Sequence, residues 1–195
     1  GLGNHTFSHP DLNQTAAVDF IADVRIGEHS LKGLCEKKYF RYPCLHRGPD
    51  SAKRDEVSRF LSQAGYTVVP VTIDNDDYAY NARYEKAWES RDREGMDRVV
   101  VEYLEHMRLQ AEAFDRLALA RVGRSVPHIL LVHMNLLNAR CLPALLAAFR
   151  MGGWSFVSVE DALDDPVYSM KDVYTGPKGV SWLERIDVPE STGGR

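Results

Sequence analysis

The chain has 195 residues, with 24 Lys and Arg against 28 Asp and Glu (net charge −4), and 44% of it is hydrophobic. This composition excludes a fibrous or disordered chain and leaves no basic footprint for a nucleic-acid partner. No run approaches the roughly 18 apolar residues of a transmembrane helix. Cys35, Cys44 and Cys141 form no CxxC, so isolated thiols are expected rather than a disulfide framework or a thiolate zinc site.

In chain order, Ala17, Phe20, Ile21 and Val24 repeat at helical spacing, so a helix is expected from Asn13, as N-cap, to about Gly33. Lys38 to Tyr42 reads as a short strand ending at Pro43. Asp50 can cap a helix whose apolar face is Val57, Phe60, Leu61 and Ala64, closed by Gly65. Tyr66 to Ile73 is β-branched and continuous, as in a buried strand. Asn75 to Gly95 is polar but holds Tyr78, Tyr80, Tyr84 and Trp88, and reads as a partly helical excursion.

A long helix follows from Met96 to about Val122, with the stripe Val100, Tyr103, Leu104, Met107, Ala111, Phe114 and Ala118. His128 to His133 is a further strand. Leu142, Leu145, Leu146 and Phe149 mark a helix ending at Gly152-Gly153, and Trp154 to Val159 a last strand. Strand and helix thus alternate, which predicts an α/β fold with parallel strands. One domain is expected over residues 1–163, with 164–195 as its irregular C-terminal arm.

In such folds the chemistry lies at the carboxyl ends of strands. Arg41 ends one predicted strand, Asp74 and Asp77 follow the next, and His133 ends a third. At the start of the chain, His5 and His9 stand four apart, a spacing that puts two imidazoles on one side of a helical turn. Imidazole suits zinc and its first-row neighbours. Pro10 disfavours helix at His9, so a loop is the other setting for the pair. Two surface histidines would show the same spacing. His29, His46, His106 and His128 read as structural or solvated.

Four motifs in order carry a family resemblance. His5-Thr6-Phe7-Ser8-His9 fits H-[S/T]-x-x-H, Arg41-Tyr42-Pro43 fits R-x-P, Asp74-Asn75-Asp76-Asp77-Tyr78 fits D-x-x-D-[W/Y], and Leu131-Val132-His133 fits L-x-H. The chain resembles the polysaccharide deacetylases of the NodB-homology type, carbohydrate esterase family 4, over residues 5–163. Cys44 stands where that family has an aromatic residue.

The resemblance implies a distorted, incomplete (β/α) barrel and hydrolysis of N-acetyl groups from an amino-sugar poly- or oligosaccharide, releasing acetate. It implies a divalent metal, zinc, held by His5, His9 and an Asp. His133, oriented by Asp77, would be the acid, and Arg41 would hold the catalytic base. The backbone N–H of Cys44 would help to hold the oxyanion, Leu131 would line the acetyl pocket, and Tyr78 would meet a sugar face. A polymeric sugar substrate favours an extracytoplasmic setting.

The family's T-F-D-D motif, source of the base and the third ligand, has no counterpart in the 195 residues. Asp11, in a turn, and Asp19, on a helix, are poor substitutes. The segment is therefore expected upstream of Gly1. Two other functions stay open: a different metal-dependent amidohydrolase acting on a small amide, and an inactive carbohydrate-binding homologue.

Overall fold

The computed structural model describes residues 1–35 and 37–188. The chain divides into two compact units, one of Gly1–Val71 with residues from Pro166 onward, the other of Thr72–Asp165. Of the stretch expected as an irregular arm, the described residues from Pro166 to 188 thus belong with the first unit, and Asp164 and Asp165 with the second.

In the first unit, α1 (Ala17–Ser30) and α2 (Ser51–Gln63) pack around β1 (Tyr39–Phe40) and β2 (Thr67–Val68). The strands are parallel, with Tyr39 opposite Thr67 and Phe40 opposite Val68. Asn4 adds a parallel bridge to Phe40 on the other side of β1. The core holds Leu12, Phe20, Val24, Phe40, Tyr42, Val57 and Leu61. Phe20 stacks on Tyr42, and Phe40 meets both edge-on, an arrangement favoured by ring quadrupoles.

The predicted helical faces form. Asp50 accepts from the Lys53 N–H and caps α2. The N-cap of α1 is Ala16 and not Asn13. Asn13 is instead held in the preceding turn, where its N–H bonds Asp11 Oδ1 at 2.8 Å.

In the second unit, α3 (Asp77–Glu89), α4 (Arg93–Val122) and α5 (Leu136–Met151) pack on one another. The predicted excursion is therefore largely the helix α3. Tyr103, Met107 and Ala111 of α4 meet Leu137, Cys141, Leu145 and Phe149 of α5 in one core. Asn135 caps α5 seven residues before Leu142, the first of the apolar residues that signalled it, because its side chain accepts from the Asn138 N–H. A five-residue helix, α6 (Val159–Leu163), ends the unit's regular structure.

The strands are far shorter than expected. The run 66–73 keeps only β2 and a parallel bridge from Ile73 to Leu130, the only bridge in the predicted strand 128–133. Pro70 has no N–H to donate and interrupts the first ladder. The predicted strand Trp154–Val159 does not form. Phe156, Val157 and Val159 are exposed, and among the described residues no strand runs beside them. An isolated extended segment has no partner for its backbone groups, so its β propensity cannot become a sheet.

Helix dominates, with parallel pairing in the short strands, an α/β arrangement in its coarsest sense. No closed barrel is present among the described residues. No helix among them is long and apolar enough to cross a membrane. The three thiols are free, with Cys141 buried in the core.

In the C-terminal stretch, Trp182, Leu183 and Ile186 are buried. The short helix α7 (Trp182–Arg185) is capped by Ser181 and Glu184, and the Trp182 indole N–H donates to the Val167 carbonyl at 2.7 Å. The stretch expected as irregular thus contains a regular, packed element of the first unit.

Candidate functional site

The first unit carries His5, His9, Arg41 and Cys44. Residues 5–9 form a loop rather than a helical turn. Thr6 and His9 both adopt left-handed backbone, φ 67° and 58°, uncommon for residues with a Cβ. The loop is braced from outside. Asp23 of α1 accepts from the N–H groups of Phe7 and Ser8 at 2.7 and 2.9 Å and from the Ser8 hydroxyl at 2.8 Å. Burial pushes the Asp23 carboxyl up, but these donors outweigh it and hold the carboxyl below its usual value. Asn4 Oδ1 accepts from the Thr6 N–H at 2.9 Å. Gly27 makes the close packing on α1 feasible, because a Cβ there would lie 2.6 Å from Asn4 Oδ1 and 2.9 Å from the Thr6 carbonyl carbon.

The loop brings the two imidazoles together, with ring centroids 4.8 Å apart at 75°. The His5 Nδ1–H donates to the Arg41 carbonyl at 2.8 Å, which places the ring's lone pair on Nε2. A backbone carbonyl on one ring nitrogen is the usual support for a histidine that ligates through the other. In this respect the pair fits a zinc ion. Among the described residues no group of three or more His, Cys, Asp or Glu side chains is placed to hold a metal.

Arg41 is largely enclosed, and burial pushes its guanidinium pKa down. Its Nε–H donates to the Val69 carbonyl at 3.3 Å, and no carboxylate pairs with it among the described residues. Cys44 lies in the short 3-10 turn Pro43–Leu45, with φ 53°. Its thiol is raised by burial and then by the charge of Asp11, so it is no activated nucleophile. Gly179 presses on the same turn, since a Cβ there would sit 2.0 Å from the Cys44 carbonyl oxygen. His46 donates through Nδ1 to Asp11 Oδ1 at 2.7 Å. Asp11 is thus engaged in its own turn, and Asp19 is an exposed residue of α1.

A cavity of about 470 Å³ in this unit lies elsewhere, between the end of α1 and the start of β1, where Cys35, Tyr39 and Tyr66 line it. None of His5, His9, Arg41 and Cys44 lines it, although Cys35 and His29, read from the sequence as an isolated thiol and a structural or solvated histidine, do.

The second unit carries Asp74, Asp77, Tyr78, Leu131 and His133. The Ile73–Leu130 bridge sets the two chain segments side by side: the Leu131 N–H donates to the Ile73 carbonyl at 3.0 Å. Asp77 opens α3 and His133 follows Leu131, so the predicted pair meets. The His133 Nδ1–H donates to Asp77 Oδ1 at 2.5 Å, and the His133 backbone N–H donates to Oδ2 at 2.8 Å. The Asp77 side chain is 1% exposed, whereas that of His133 is 51% exposed. A buried carboxylate therefore grips one nitrogen of a ring whose side chain still reaches solvent.

The same carboxylate accepts from Asn138 Nδ2 at 2.7 Å, and Asn138 Oδ1 accepts from the Tyr103 hydroxyl at 2.8 Å. Burial would raise the Asp77 carboxyl, but the bonds from His133, with help from Asn138, hold it below its usual value. Its place in the first turn of α3 acts in the same direction.

Asp74 behaves oppositely. Burial raises it, and the charges of Asp76 and Asp77 add to the rise. Asn75 ties the segment together: its Nδ2 donates to the Leu131 carbonyl at 2.5 Å and its carbonyl accepts from His106 Nε2 at 2.7 Å. Of the excursion's aromatics, Tyr78 and Trp88 are exposed, Tyr84 is core, and Tyr80 packs against Tyr103 and His106.

Sequence reading missed Asp23, Gly27, Asn75, Asn138, Tyr103 and Gly179. Asn138 left one signal, a polar residue amid an apolar helical stripe. Tyr103 looked like one more stripe residue, since its hydroxyl partner lies 35 positions away. Compared with family models, curated proteins and solved structures, the chain matches none.

Proposed function

We propose that the chain is a metal-dependent hydrolase that removes N-acetyl groups from amino-sugar residues of a poly- or oligosaccharide, on an incomplete barrel of the NodB-homology type. One observation carries the reading: the buried Asp77 carboxylate bonded to Nδ1 of the half-exposed His133. A carboxylate so placed fixes the tautomer and stabilises the imidazolium, as an acid delivering a proton to a departing amine requires.

His5 and His9 would hold the metal, with an Asp of a T-F-D-D segment as third ligand. A bound zinc ion supplies Lewis-acid polarisation of the amide carbonyl and acidifies water. His133 keeps its transferable proton on Nε2 while Asp77 holds Nδ1. Arg41, whose charge no carboxylate meets among the described residues, suits a carboxylate base. The Cys44 N–H is the donor assigned to the oxyanion. Leu131 is assigned to the acetyl methyl, and Tyr78, exposed on α3, to a sugar face.

The test is acetate release from N-acetylglucosamine oligomers, with and without zinc, by the 195-residue chain and by the same chain carrying a T-F-D-D strand before Gly1. Zinc-dependent release is expected from the second. His133→Ala in that protein should lower kcat by about 10²- to 10⁴-fold while zinc binding persists. Unchanged turnover would remove His133 from the reaction.

A further inference from the structure

We propose that Asn138 is a positioning residue: by holding Asp77 Oδ2, it loosens the grip of His133 on its Nε2 proton and makes the imidazolium a stronger acid. This role rests on the reading of His133 as the acid. Proton binding in the 195-residue chain decides it without turnover, so the role and that reading can fail separately.

Asn138 is out of place as a packing residue. It is 5% exposed on the core face of α5, which also carries the buried Leu137 and Cys141. Folding gains little from a buried amide where an apolar side chain would pack, unless the partners of the amide need it. Both ends of this amide are used. Nδ2 donates to Asp77 Oδ2 at 2.7 Å and to the His133 carbonyl at 2.9 Å, while Oδ1 accepts from the Tyr103 hydroxyl at 2.8 Å. Only this orientation satisfies all three partners. A carboxylate and a carbonyl accept and cannot donate, so the amide nitrogen must face them. The amide oxygen then faces Tyr103, whose hydroxyl must donate. Burial, and then the charge of Asp77, push the Tyr103 pKa up and keep that proton in place.

The two carboxylate oxygens are loaded unequally. Oδ2 collects the His133 backbone N–H at 2.8 Å, Asn138 Nδ2 at 2.7 Å and Asn135 Nδ2 at 3.4 Å. Oδ1 accepts from the imidazole Nδ1–H at 2.5 Å. Donors on a carboxylate stabilise its charge and lower its basicity. A less basic Asp77 leaves the Nδ1 proton on the ring, and it stabilises the imidazolium less than a bare buried carboxylate would. An acid works best when its pKa lies near the working pH, so the group that orients the ring must not bind its second proton too firmly. The Asp77–His133 bond orients the ring, and Asn138 limits the charge that the ring feels. Asp74 also acts on the ring, and its charge favours the imidazolium. From α4, Tyr103 and His106 face the same turn, His106 through the Asn75 carbonyl, and Cys141 of α5 lies near Tyr103. A substitution at 138 leaves all of these in the chain.

The test is an NMR titration of the His133 ring in the 195-residue chain, its signal identified by loss in His133→Ala. Asn138→Leu replaces the donor with an apolar branch of the same outline. The ring should then bind its proton about threefold more tightly, with the midpoint moved to higher pH. Tyr103→Phe keeps the amide but removes the hydroxyl that polarises it, and it should move the midpoint the same way by less. That variant decides the matter if Asn138→Leu does not fold. A packing role alone would lower stability and leave the midpoint in place. An unchanged or lowered midpoint in the variants that fold overturns the proposal, whatever the outcome for acetate release.

Discussion

The His5–His9 loop and the Asp77–His133 pair hold their imidazoles by opposite means. In the loop, the histidines are exposed, the backbone is left-handed at two positions, and the brace is a carboxylate of α1 that binds backbone rather than imidazole. In the pair, a fully buried carboxylate binds the imidazole directly, and Asn138 and Tyr103 extend the contact into the core. A metal ion can complete a loosely held pair of ligands, because coordination itself fixes their geometry. A proton donor has no such help and must be oriented by the protein alone.

Three substitutions sharpen this contrast. The largest effect is expected at Asp77. Asp77→Ala leaves the His133 N–H and Asn138 Nδ2 without their acceptor in a buried place, at a cost of about 3 kcal/mol. Chemical denaturation would measure it, and a loss below about 1 kcal/mol would put the pair on the same footing as the loop.

A smaller effect on stability is expected at Asp23, because the loop it braces is solvent-exposed. Asp23→Ala should cost about 1 kcal/mol but lower the zinc affinity of the histidine pair about 10- to 100-fold. Competition against a chromophoric chelator reads this directly. Unchanged affinity would show that the loop reaches its geometry without the brace.

The smallest effect separates two acids three residues apart. The Asp77 carboxyl is held below the ordinary 3.8, so its contribution is complete above that value and is lost as pH falls through its lower folded value. The Asp74 carboxyl is raised above 3.8, so the folded state is penalised as pH rises through its folded value. Asp74→Asn should therefore stabilise the protein at neutral pH by about 0.5 kcal/mol, with no gain below pH 3.8. Urea midpoints at both pH values test this, and a loss at neutral pH would mean that the Asp74 charge is used.

Helices were largely legible in the sequence. The stripes of α1, α2 and α4 run close to their predicted positions, because helical hydrogen bonds are local and a 3.6-residue period reports the buried face. Strands were not, because a strand is completed by residues far away. The segments 66–73 and 154–159 have similar β-rich character, yet only the first finds neighbours. The convergence of His5 with His9 was legible from spacing, although a loop achieves it and not a helical turn. The meeting of Asp77 with His133 was foreseen by motif order.

By itself, then, the sequence determined the helical stripes, the Asp50 cap, and the two histidine constellations that could carry chemistry. Tertiary structure alone decided which extended segments pair, that Gly27 and Gly179 sit where a Cβ would strike another segment's backbone, and that Asn138 and Tyr103 back the buried carboxylate. It also gathered Arg47, Arg54 and Arg185 around Asp172, from positions up to 138 residues apart. The division follows from range: periodicity and capping act within a few residues, whereas burial and hydrogen-bond completion depend on whatever the folded chain brings alongside.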